Sequence, residues 1–308
     1  MNTMSSCNHS KITEFLLVGF SAPCPLRELL FSICLVIYIM ALGANLMIIA
    51  LYLGSHHLRS PMYFFLSNLS ATDILLSTSV GPNLLCTLLK DGNPMSVSAC
   101  VTQYFASGFF TGVECFLLTV MAYDRYLAIC KPLHYVTIMT NKHCLHLVIW
   151  SWLEIVLFML PVAITVSHSG FCGCNTMDYI YCDIAPLLKM SCSDVFVLER
   201  AITVMTIPVT VIPLLFIFTT YWTILLSIFR ISSNTGRQKA FSTCSSHLTV
   251  VSMFYGILIT NYTVPSKGVN KLISLLYTLV TPLFNPIVYS LRNQELQNAL
   301  RKLISVIL

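Results

Sequence analysis

Seven separate stretches of this chain are each long and apolar enough to cross a lipid bilayer as a helix. Spanning the hydrocarbon core takes about 20 mostly apolar residues. The stretches that reach this length are Leu29–Leu53, Met62–Leu85, Val101–Ile129, Cys144–Val166, Ala201–Ile228, Phe241–Ile259 and Leu272–Leu291. Strands of a membrane barrel would instead alternate over roughly 10 residues each. The sequence therefore predicts an all-α membrane protein, a seven-transmembrane helix bundle in a single domain over residues 1–308.

The seven spans differ in polarity. Charged residues make up only 9% of the chain, against roughly 25% in soluble domains. The first, fourth and fifth spans are clear by composition, whereas the second, third, sixth and seventh carry polar residues on one face. A helix with a polar face avoids lipid, so we expect these four spans to pack inside the bundle.

The lysines and arginines predict the orientation. With the N-terminus outside, the inner segments hold ten basic and two acidic residues, whereas the outer segments hold seven of each. Basic residues concentrate on the cytoplasmic side of membrane proteins. We therefore expect a plasma-membrane protein with an extracellular N-terminal segment (1–27) and a cytoplasmic C-terminus. Its net charge reflects topology and gives no indication of nucleic-acid binding. Asn8, in an Asn-x-Ser sequon, would be an extracellular glycosylation acceptor.

One loop, residues 168–199, is much longer than the others and shows no clear helical or strand period. Its cysteines are Cys172, Cys174, Cys182 and Cys192. Loops of this length are usually functional or disordered, and the cysteines argue against disorder. Extracellular thiols are expected to be oxidised, and Cys100 at the outer start of the third span is within reach. Spacing alone does not fix the pairing, and Cys-x-Cys near His168 leaves a zinc site as the alternative.

A charged pair, Asp124-Arg125, followed by Tyr126, stands where the third span ends. Intramembrane charges are expensive and usually functional, so we interpret the pair as a latch that can open. Glu154, in the fourth span, is a further intramembrane acid. For Glu154 we expect a partner on a neighbouring helix.

Four long motifs, in this order along the chain, resemble those of vertebrate olfactory receptors, in the rhodopsin-like class of G-protein-coupled receptors. They are Pro61–Ser70, Met121–Tyr135, Lys239–Leu248 and Pro282–Asn293. The resemblance covers nearly the whole chain. It implies a receptor, not an enzyme, that binds a small volatile odorant in the outer half of the bundle. Ligand binding would then activate a heterotrimeric G protein of the stimulatory olfactory type and raise cAMP.

The resemblance also implies a pairing for the loop cysteines. Cys100 would bond to Cys182 and tie the loop to the third helix, and Cys172 would bond to Cys192 and close a subloop. Cys174 stands where the family usually has proline and is left over in this pairing.

By resemblance, the ligand site draws on the third, fifth, sixth and seventh helices. The candidates are Ser107, Gly108, Thr111, Gly112, Met205, Thr206, Tyr255, Leu258, Ile259, Tyr262, Leu275 and Thr278. No Asp, Lys or Arg belongs to this set, so we expect a mostly neutral, hydrophobic ligand. Tyr255 is the candidate for sensing the bound ligand. The spacing of Gly108 and Gly112 leaves room for a ligand, although small residues one turn apart also favour helix packing.

Two further sets follow from the resemblance. The residues expected to switch the receptor and couple it to the G protein are Asp124, Arg125, Tyr126, Tyr221, Lys239, Asn285, Pro286 and Tyr289. The residues expected to form a polar cluster at mid-membrane are Asn45, Asp73, Glu114 and Asn285. This cluster would hold a sodium ion at Asp73 and Glu114 or, as an equal alternative, a hydrogen-bond network without an ion. No other cofactor and no metal site is expected.

Residues 293–308 carry apolar side chains at helical spacing beside Arg301 and Lys302. This pattern predicts a short amphipathic helix on the inner lipid leaflet. A membrane transporter of a small solute is the alternative function. It would predict repeated halves with broken helices, which the sequence does not show.

Overall fold

The computed structural model describes residues 12–20, 22–90, 92–192, 195–230, 233–263 and 267–307. Six long helices are continuous: α1 (Cys24–Gly54), α2 (Pro61–Leu89), α3 (Val97–Cys130), α5 (Asn141–His168), α7 (Val195–Phe229) and α8 (Asn234–Thr263). The seventh consists of α9 (Lys267–Leu275), a π-helical segment (Leu276–Val280) and α10 (Thr281–Arg292). The shorter helices are α4 (Pro132–Ile138), α6 (Ile184–Lys189) and α11 (Gln294–Ile307), and a 3-10 turn covers His56–Leu58. Each predicted span falls within one long helix, so the seven-helix prediction is confirmed.

Local chemistry explains where several helices begin. Proline stands in the first turn of α1, α2 and α4, where its missing N–H is not needed. At the start of α3, the Ser96 hydroxyl accepts a hydrogen bond from the Ala99 N–H at 3.3 Å. At the start of α5, the Thr140 hydroxyl accepts one from the His143 N–H at 3.3 Å. Such caps satisfy backbone donors that the first helical turn leaves free.

The long helices divide into lipid-facing and inner ones. The apolar stretch is 22%, 22% and 17% buried in α1, α5 and α7, against 56% in α3 and 67% in the seventh helix. Length and apolarity alone qualify these five as membrane spans within the described residues. α2 and α8 are not among these five, because their polar residues lower their mean hydropathy. α3 occupies the centre, where it packs against α2, α5, α7 and α8.

A small sheet covers the end of the bundle where α3 begins. Its strands are β1 (Glu14–Leu17), β2 (Asn93–Ser96) and β3 (Thr176–Met177), in the order β2-β1-β3. β1 pairs antiparallel with β2 and parallel with β3, and it fully buries Phe15 and Leu17. No strand was predicted here, because each strand is too short to show a period in the sequence. The long loop also contains α6, and α1 already begins at Cys24, within the range assigned to the N-terminal segment.

The loop cysteines are paired. The structure joins Cys100 to Cys182, with Cα atoms 5.3 Å apart, and Cys172 to Cys192, with Cα atoms 5.7 Å apart. This is the pairing that the resemblance implies. Cys174 is also disulfide-bonded, so the expectation that it is left over is wrong. Cysteines engaged in disulfides have no thiolate to offer a metal, which removes the ligands of the alternative zinc site.

The C-terminal segment forms α11, as the spacing of its apolar residues predicts. Leu296 is buried, Leu300 packs against the core, and Arg301 and Lys302 are exposed. The side chains of Leu303 and Ile304 lie outside the described part. The helix is therefore amphipathic, with its apolar side on the bundle.

Candidate functional site

A cavity of about 130 Å³ lies between α3, α5, α7, α8, the seventh helix and the long loop. Its lining consists of Tyr104, Ser107, Gly108, Thr111, Gly112, Met159, Val162, Tyr181, Asp183, Ile184, Ile202, Met205, Thr206, Val209, Thr210, Leu258, Asn261 and Tyr277. The α3 residues come from the half of that helix nearest the disulfide-bonded loop. The cavity therefore lies in the same half of the bundle as the loop and the sheet.

The predicted ligand residues divide into two groups. Those that line the cavity are Ser107, Gly108, Thr111, Gly112, Met205, Thr206 and Leu258. Tyr255, Leu275 and Thr278 are buried in helix packing and do not line it, and Ile259 is 50% exposed on the outside of the bundle. The side chain of Tyr262 lies outside the described part of the chain.

The π-helical segment explains why Tyr277 replaces Leu275 and Thr278 in the lining. A π turn holds more residues than an α turn, so it changes which side chain faces a given neighbour. Tyr277 donates a short hydrogen bond to the Thr111 hydroxyl. Thr111 in turn donates to the Ser107 carbonyl at 2.7 Å. Tyr277 and Thr111 thus form a hydrogen-bonded polar group in the cavity wall. No local sequence signal marks the π-helical segment that places Tyr277 there.

Asp183 adds an acidic side chain to the lining, whereas the predicted set contains none. The Cys100–Cys182 disulfide positions it, and its carboxylate accepts the Ile184 N–H at 2.7 Å, which caps α6. Burial raises the pKa of Asp183, while the Ile184 N–H and a hydrogen bond from Tyr179 oppose that shift. The carboxylate is thus already engaged by the loop. Its position directly after a pairing cysteine is the sequence signal that could have found it.

Gly108 and Gly112 have different roles in the helix packing. A Cβ atom at Gly112 would lie 2.5 Å from Cδ1 of Ile155, whereas one at Gly108 would meet only the flexible end of Met159 at 3.0 Å. Gly112 therefore lets α3 and α5 approach closely. Gly108 leaves space beside the cavity.

Gly112→Ala is expected to lower the cell-surface level and thermal stability, because overpacking a helix contact costs about 1–3 kcal/mol. The double variant Gly112→Ala/Ile155→Val, which removes the clashing Cδ1, should recover most of the loss. Gly108→Ala is the matched control and should keep a near-normal surface level. Flow cytometry of tagged receptor and thermal unfolding in detergent measure both effects. An unchanged Gly112→Ala variant would contradict the packing role.

A polar cluster lies near the middle of the bundle. Asn285 donates to both carboxylate oxygens of Asp73 at 3.1 Å. The carboxyl of Glu114 interacts with that of Asp73, and all three side chains are buried. No donor from the described residues reaches either oxygen of Glu114 or the amide oxygens of Asn45 and Asn285. The cluster thus has more acceptor oxygens than donors.

Asn45 supplies a hydrogen bond to the backbone where Pro286 interrupts the hydrogen bonding of the seventh helix. Proline has no N–H, so the carbonyl four residues earlier loses its helical partner. That carbonyl belongs to Pro282, and it accepts a hydrogen bond from the Asn45 side chain at 2.8 Å. Asn45 also donates to the Ala41 carbonyl at 2.9 Å. The cluster therefore joins α1 to the weakened point of α10.

At the far end of α3, Asp124 and Arg125 are bonded to each other. The Arg125 Nε atom donates to Asp124 at 3.0 Å, with a second bond from the guanidinium to the same oxygen. Asp124 is fully buried and also accepts the Tyr135 hydroxyl of α4 at 2.8 Å. Burial, followed by the charge of Asp124, raises the pKa of Tyr135, so that the phenol remains a donor. Beside the pair, Tyr126 lies under the Lys131 ammonium, 5.9 Å from the ring centroid.

His247 is a switch candidate that the sequence analysis missed. The Tyr221 hydroxyl and the His247 Nδ1 atom are 2.7 Å apart, and His247 Nε2 lies 3.1 Å from the Leu118 carbonyl. His247 thus links α8 to both α7 and α3. Tyr221 is engaged here and not at Arg125, and the hydroxyl of Tyr289 has no hydrogen-bond partner among the described residues. His247 lies inside the Lys239–Leu248 motif, which was its sequence signal.

Two predicted residues, Lys239 and Asn8, are not placed by the structure. The side chain of Lys239 and the sequon residue Asn8 both lie outside the described part.

Glu154 has no hydrogen-bond or ion-pair partner among the described residues, so the expectation of a partner on a neighbouring helix is wrong.

Comparisons with known proteins identify the family to which this chain belongs. The sequence model of the family described as "Olfactory receptor" matches residues 33–306. The chain belongs to the olfactory receptor family. It is 43% identical to Olfactory receptor 5P60 of Mus musculus over 299 residues, covering 96% of this chain and 93% of that protein. It is also 43% identical to Olfactory receptor 2G6 of Homo sapiens over 306 residues, covering 98% and 96%.

The fold of this olfactory receptor resembles that of squid rhodopsin. The TM-score is 0.75 at 18% sequence identity, with 94% of this chain and 88% of that chain covered. Family and fold together make the protein a multi-pass plasma-membrane receptor for odorants that couples to heterotrimeric G proteins, and not an enzyme. Membership of this family also rules against the transporter alternative.

Proposed function

We propose that this receptor binds small, mostly neutral, hydrophobic volatiles in the cavity beneath the disulfide-bonded loop. The observation that carries the proposal is the size and lining of that cavity. Its volume of about 130 Å³ is close to that of an apolar protein cavity of ~150 Å³ that holds benzene. Most of the wall is apolar, and Thr111, Tyr277 and Asn261 offer a few polar groups. This composition is typical of sites where polar groups orient an apolar ligand.

Asp183 does not alter the expected ligand class. Its carboxylate already accepts the Ile184 N–H and a hydrogen bond from Tyr179, which leaves a ligand ammonium group only part of its acceptor capacity. No basic side chain belongs to the lining among the described residues. A carboxylate ligand would therefore lack a counter-charge.

A dose-response panel tests the ligand class. Cells that express the receptor, an olfactory-type stimulatory G protein and a cAMP reporter would receive matched alcohols, ketones, esters, amines and acids of similar size. We expect alcohols, ketones or esters to be the most potent. Far greater potency of the amines or acids would contradict the neutral-ligand proposal, and a ligand response without cAMP would contradict the stimulatory coupling.

The proposed orientation places the N-terminus outside and the C-terminus inside. Disulfides form and persist in oxidising compartments, and both described pairings lie at the end of the bundle where α3 begins. β1 belongs to the same end. The basic α11 would then face the inner leaflet, and a glycan on Asn8 would mark the outer side. Antibody access to an N-terminal tag on intact cells tests this orientation.

A sodium ion in the polar cluster completes the proposal. The carboxyl oxygens of Glu114 and the amide oxygens of Asn45 and Asn285 have no hydrogen-bond partner among the described residues, and Asn285 and Glu114 both lie against Asp73. Hard cations prefer oxygen ligands. Asp73 and Glu114 would hold the ion, with the asparagine oxygens as further ligands. A bound cation would also neutralise two adjacent buried carboxyls, which cannot easily ionise together.

Replacing sodium by potassium or choline at constant ionic strength is expected to change the basal activity of the wild-type receptor. Asp73→Asn and Glu114→Gln should each abolish this sodium dependence, because each removes a carboxylate from the ion site. Basal cAMP normalised to surface level is the measurement. Ser77→Ala, which removes only a bond to the Asp73 backbone carbonyl, serves as the control. A wild-type receptor indifferent to sodium would favour the hydrogen-bond network without an ion.

A further inference from the structure

Glu154 lies at the middle of α5, with thirteen residues of the helix before it and fourteen after it. At about 1.5 Å per residue it is roughly 20 Å from either end of the helix. Half the hydrocarbon core of a bilayer is only about 15 Å thick. Long lysine and arginine side chains can reach the interface from within a membrane, but a glutamate at this depth is too short to do so.

The surroundings of Glu154 leave its carboxyl group without a partner inside the described chain. The side chain is half-buried, and neither a hydrogen bond nor an ion pair reaches it. Its neighbours one turn away, Trp150 and Leu157, are 61% and 69% exposed. Unsatisfied polar groups are costly in hydrocarbon. The carboxyl therefore requires a hydrogen-bonding group from another molecule at the same depth.

The face that carries Glu154 is not used to pack α5 into the bundle. Residues 150, 154, 157 and 161 recur at intervals of three and four, which places them on one side of the helix. The buried residues of α5, including Ser151 and Ile155, lie on another side. The Glu154 face is accordingly open to a further transmembrane helix.

We propose that Glu154 is the association point for a second copy of this receptor, across a two-fold axis along the membrane normal. Two copies inserted in the same direction have identical residues at identical depths, so Glu154 of each copy meets Glu154 of the other. A neutral carboxylic acid has an O–H donor and acceptor oxygens, so two such groups satisfy each other. A partner of different sequence would need its own polar group at that depth. A second copy has one by symmetry.

The interface around this pair is self-complementary. Trp150 and Leu157 of each α5 would cover the carboxyl pair from lipid, because they flank Glu154 on the exposed face. Polar side chains that hydrogen-bond across helices drive such association in membranes. The ligand cavity lies on the other side of α5, at Met159 and Val162, so association leaves it accessible.

Single-molecule photobleaching of fluorescently tagged full-length receptor at the cell surface measures the dimer fraction as a function of receptor density. Wild-type receptor should show two-step bleaching with a defined midpoint density. Glu154→Leu should raise that midpoint by about 3- to 30-fold, in line with the strength of interhelical hydrogen bonds. Glu154→Gln should stay near wild type, because an amide pair is also self-complementary. Leu153→Ala, an exposed apolar neighbour, is the matched control and should have no effect.

Three results would overturn the proposal: a wild-type receptor that is monomeric at every density, an unchanged midpoint for Glu154→Leu, or an equal shift for Leu153→Ala. Comparing variants at equal surface density separates association from expression. Should Glu154→Leu fail to reach the surface, oxidative cross-linking of Glu154→Cys replaces it. That variant should form a covalent dimer above the background of the native cysteines, whereas Ile149→Cys, on a different face of α5, should not. Equal yields from the two would likewise count against the proposal.

Discussion

Arg125→Ala is expected to abolish ligand-dependent signalling to the level of untransfected cells while leaving the ligand cavity intact. Arg125 is bonded twice to Asp124, and its side chain is only 11% exposed. While Arg125 is bonded to Asp124, its guanidinium is not available to an incoming G protein. It becomes available only when the pair opens, so Arg125→Ala removes that contact with the G protein. The cavity lies in the opposite half of α3 and should be unaffected. Surface-normalised cAMP and ligand-binding assays measure the two effects separately.

Asp124→Asn tests the same latch in the opposite direction. It weakens the hold on Arg125 and the bond from Tyr135, so basal activity should rise. Lys131→Ala is the matched control, because Lys131 is basic and nearby but exposed, and its ammonium lies over the ring of Tyr126. Full signalling by Arg125→Ala, or an equal loss in Lys131→Ala, would contradict the latch.

Cys182→Ser is expected to reduce the cell-surface level several-fold and to eliminate the response to ligand. The Cys100–Cys182 bond closes a sequence separation of 82 residues, and closing a loop of ~100 residues is worth about 4–5 kcal/mol in the chain-entropy view. The bond also holds Tyr181, Asp183 and Ile184 at the cavity wall. Its loss therefore affects both stability and the shape of the binding site.

Cys182→Ser leaves the thiol of Cys100 unpaired. The double variant Cys100→Ser/Cys182→Ser removes that thiol as well and should match the single variant if loss of the bond is the cause. Cys86→Ser, at an exposed free cysteine of α2, should behave as wild type. Immunostaining of intact cells and the cAMP response report the outcome. A normal surface level and a normal ligand potency in both the single and the double variant would show that the bond is dispensable.

The polar cluster in the interior of the receptor could be predicted only in part from the sequence. The family resemblance implied that Asn45, Asp73, Glu114 and Asn285 would form one cluster, and the structure places Asn285 on Asp73 and Asp73 beside Glu114. The donation from Asn45 to the Pro282 carbonyl was not foreseen. It depends on the rotation of α1 relative to α10, which no local pattern encodes.

The ligand cavity was predicted in part. Residues of α3 and α7 were identified correctly by resemblance, because both helices are regular where they line the cavity. Tyr277 was missed because of the π-helical segment, and Asp183 because it is brought there by a disulfide across the loop. In both places a shift of one residue in register, or one covalent bond, decides which side chain faces the cavity.

The sequence by itself determined that this protein spans the membrane as seven helices, which of them face lipid, and that Asp124-Arg125 lies at the end of the third. These properties follow from contiguous apolar length measured against the thickness of a bilayer, and from the period of a single helix. Only the tertiary structure decided which side chains share the cavity, what satisfies the carbonyl freed by Pro286, and that Glu154 finds no partner among the described residues. Those outcomes depend on the rotation and register of helices relative to one another, which are set by packing between residues far apart in the chain.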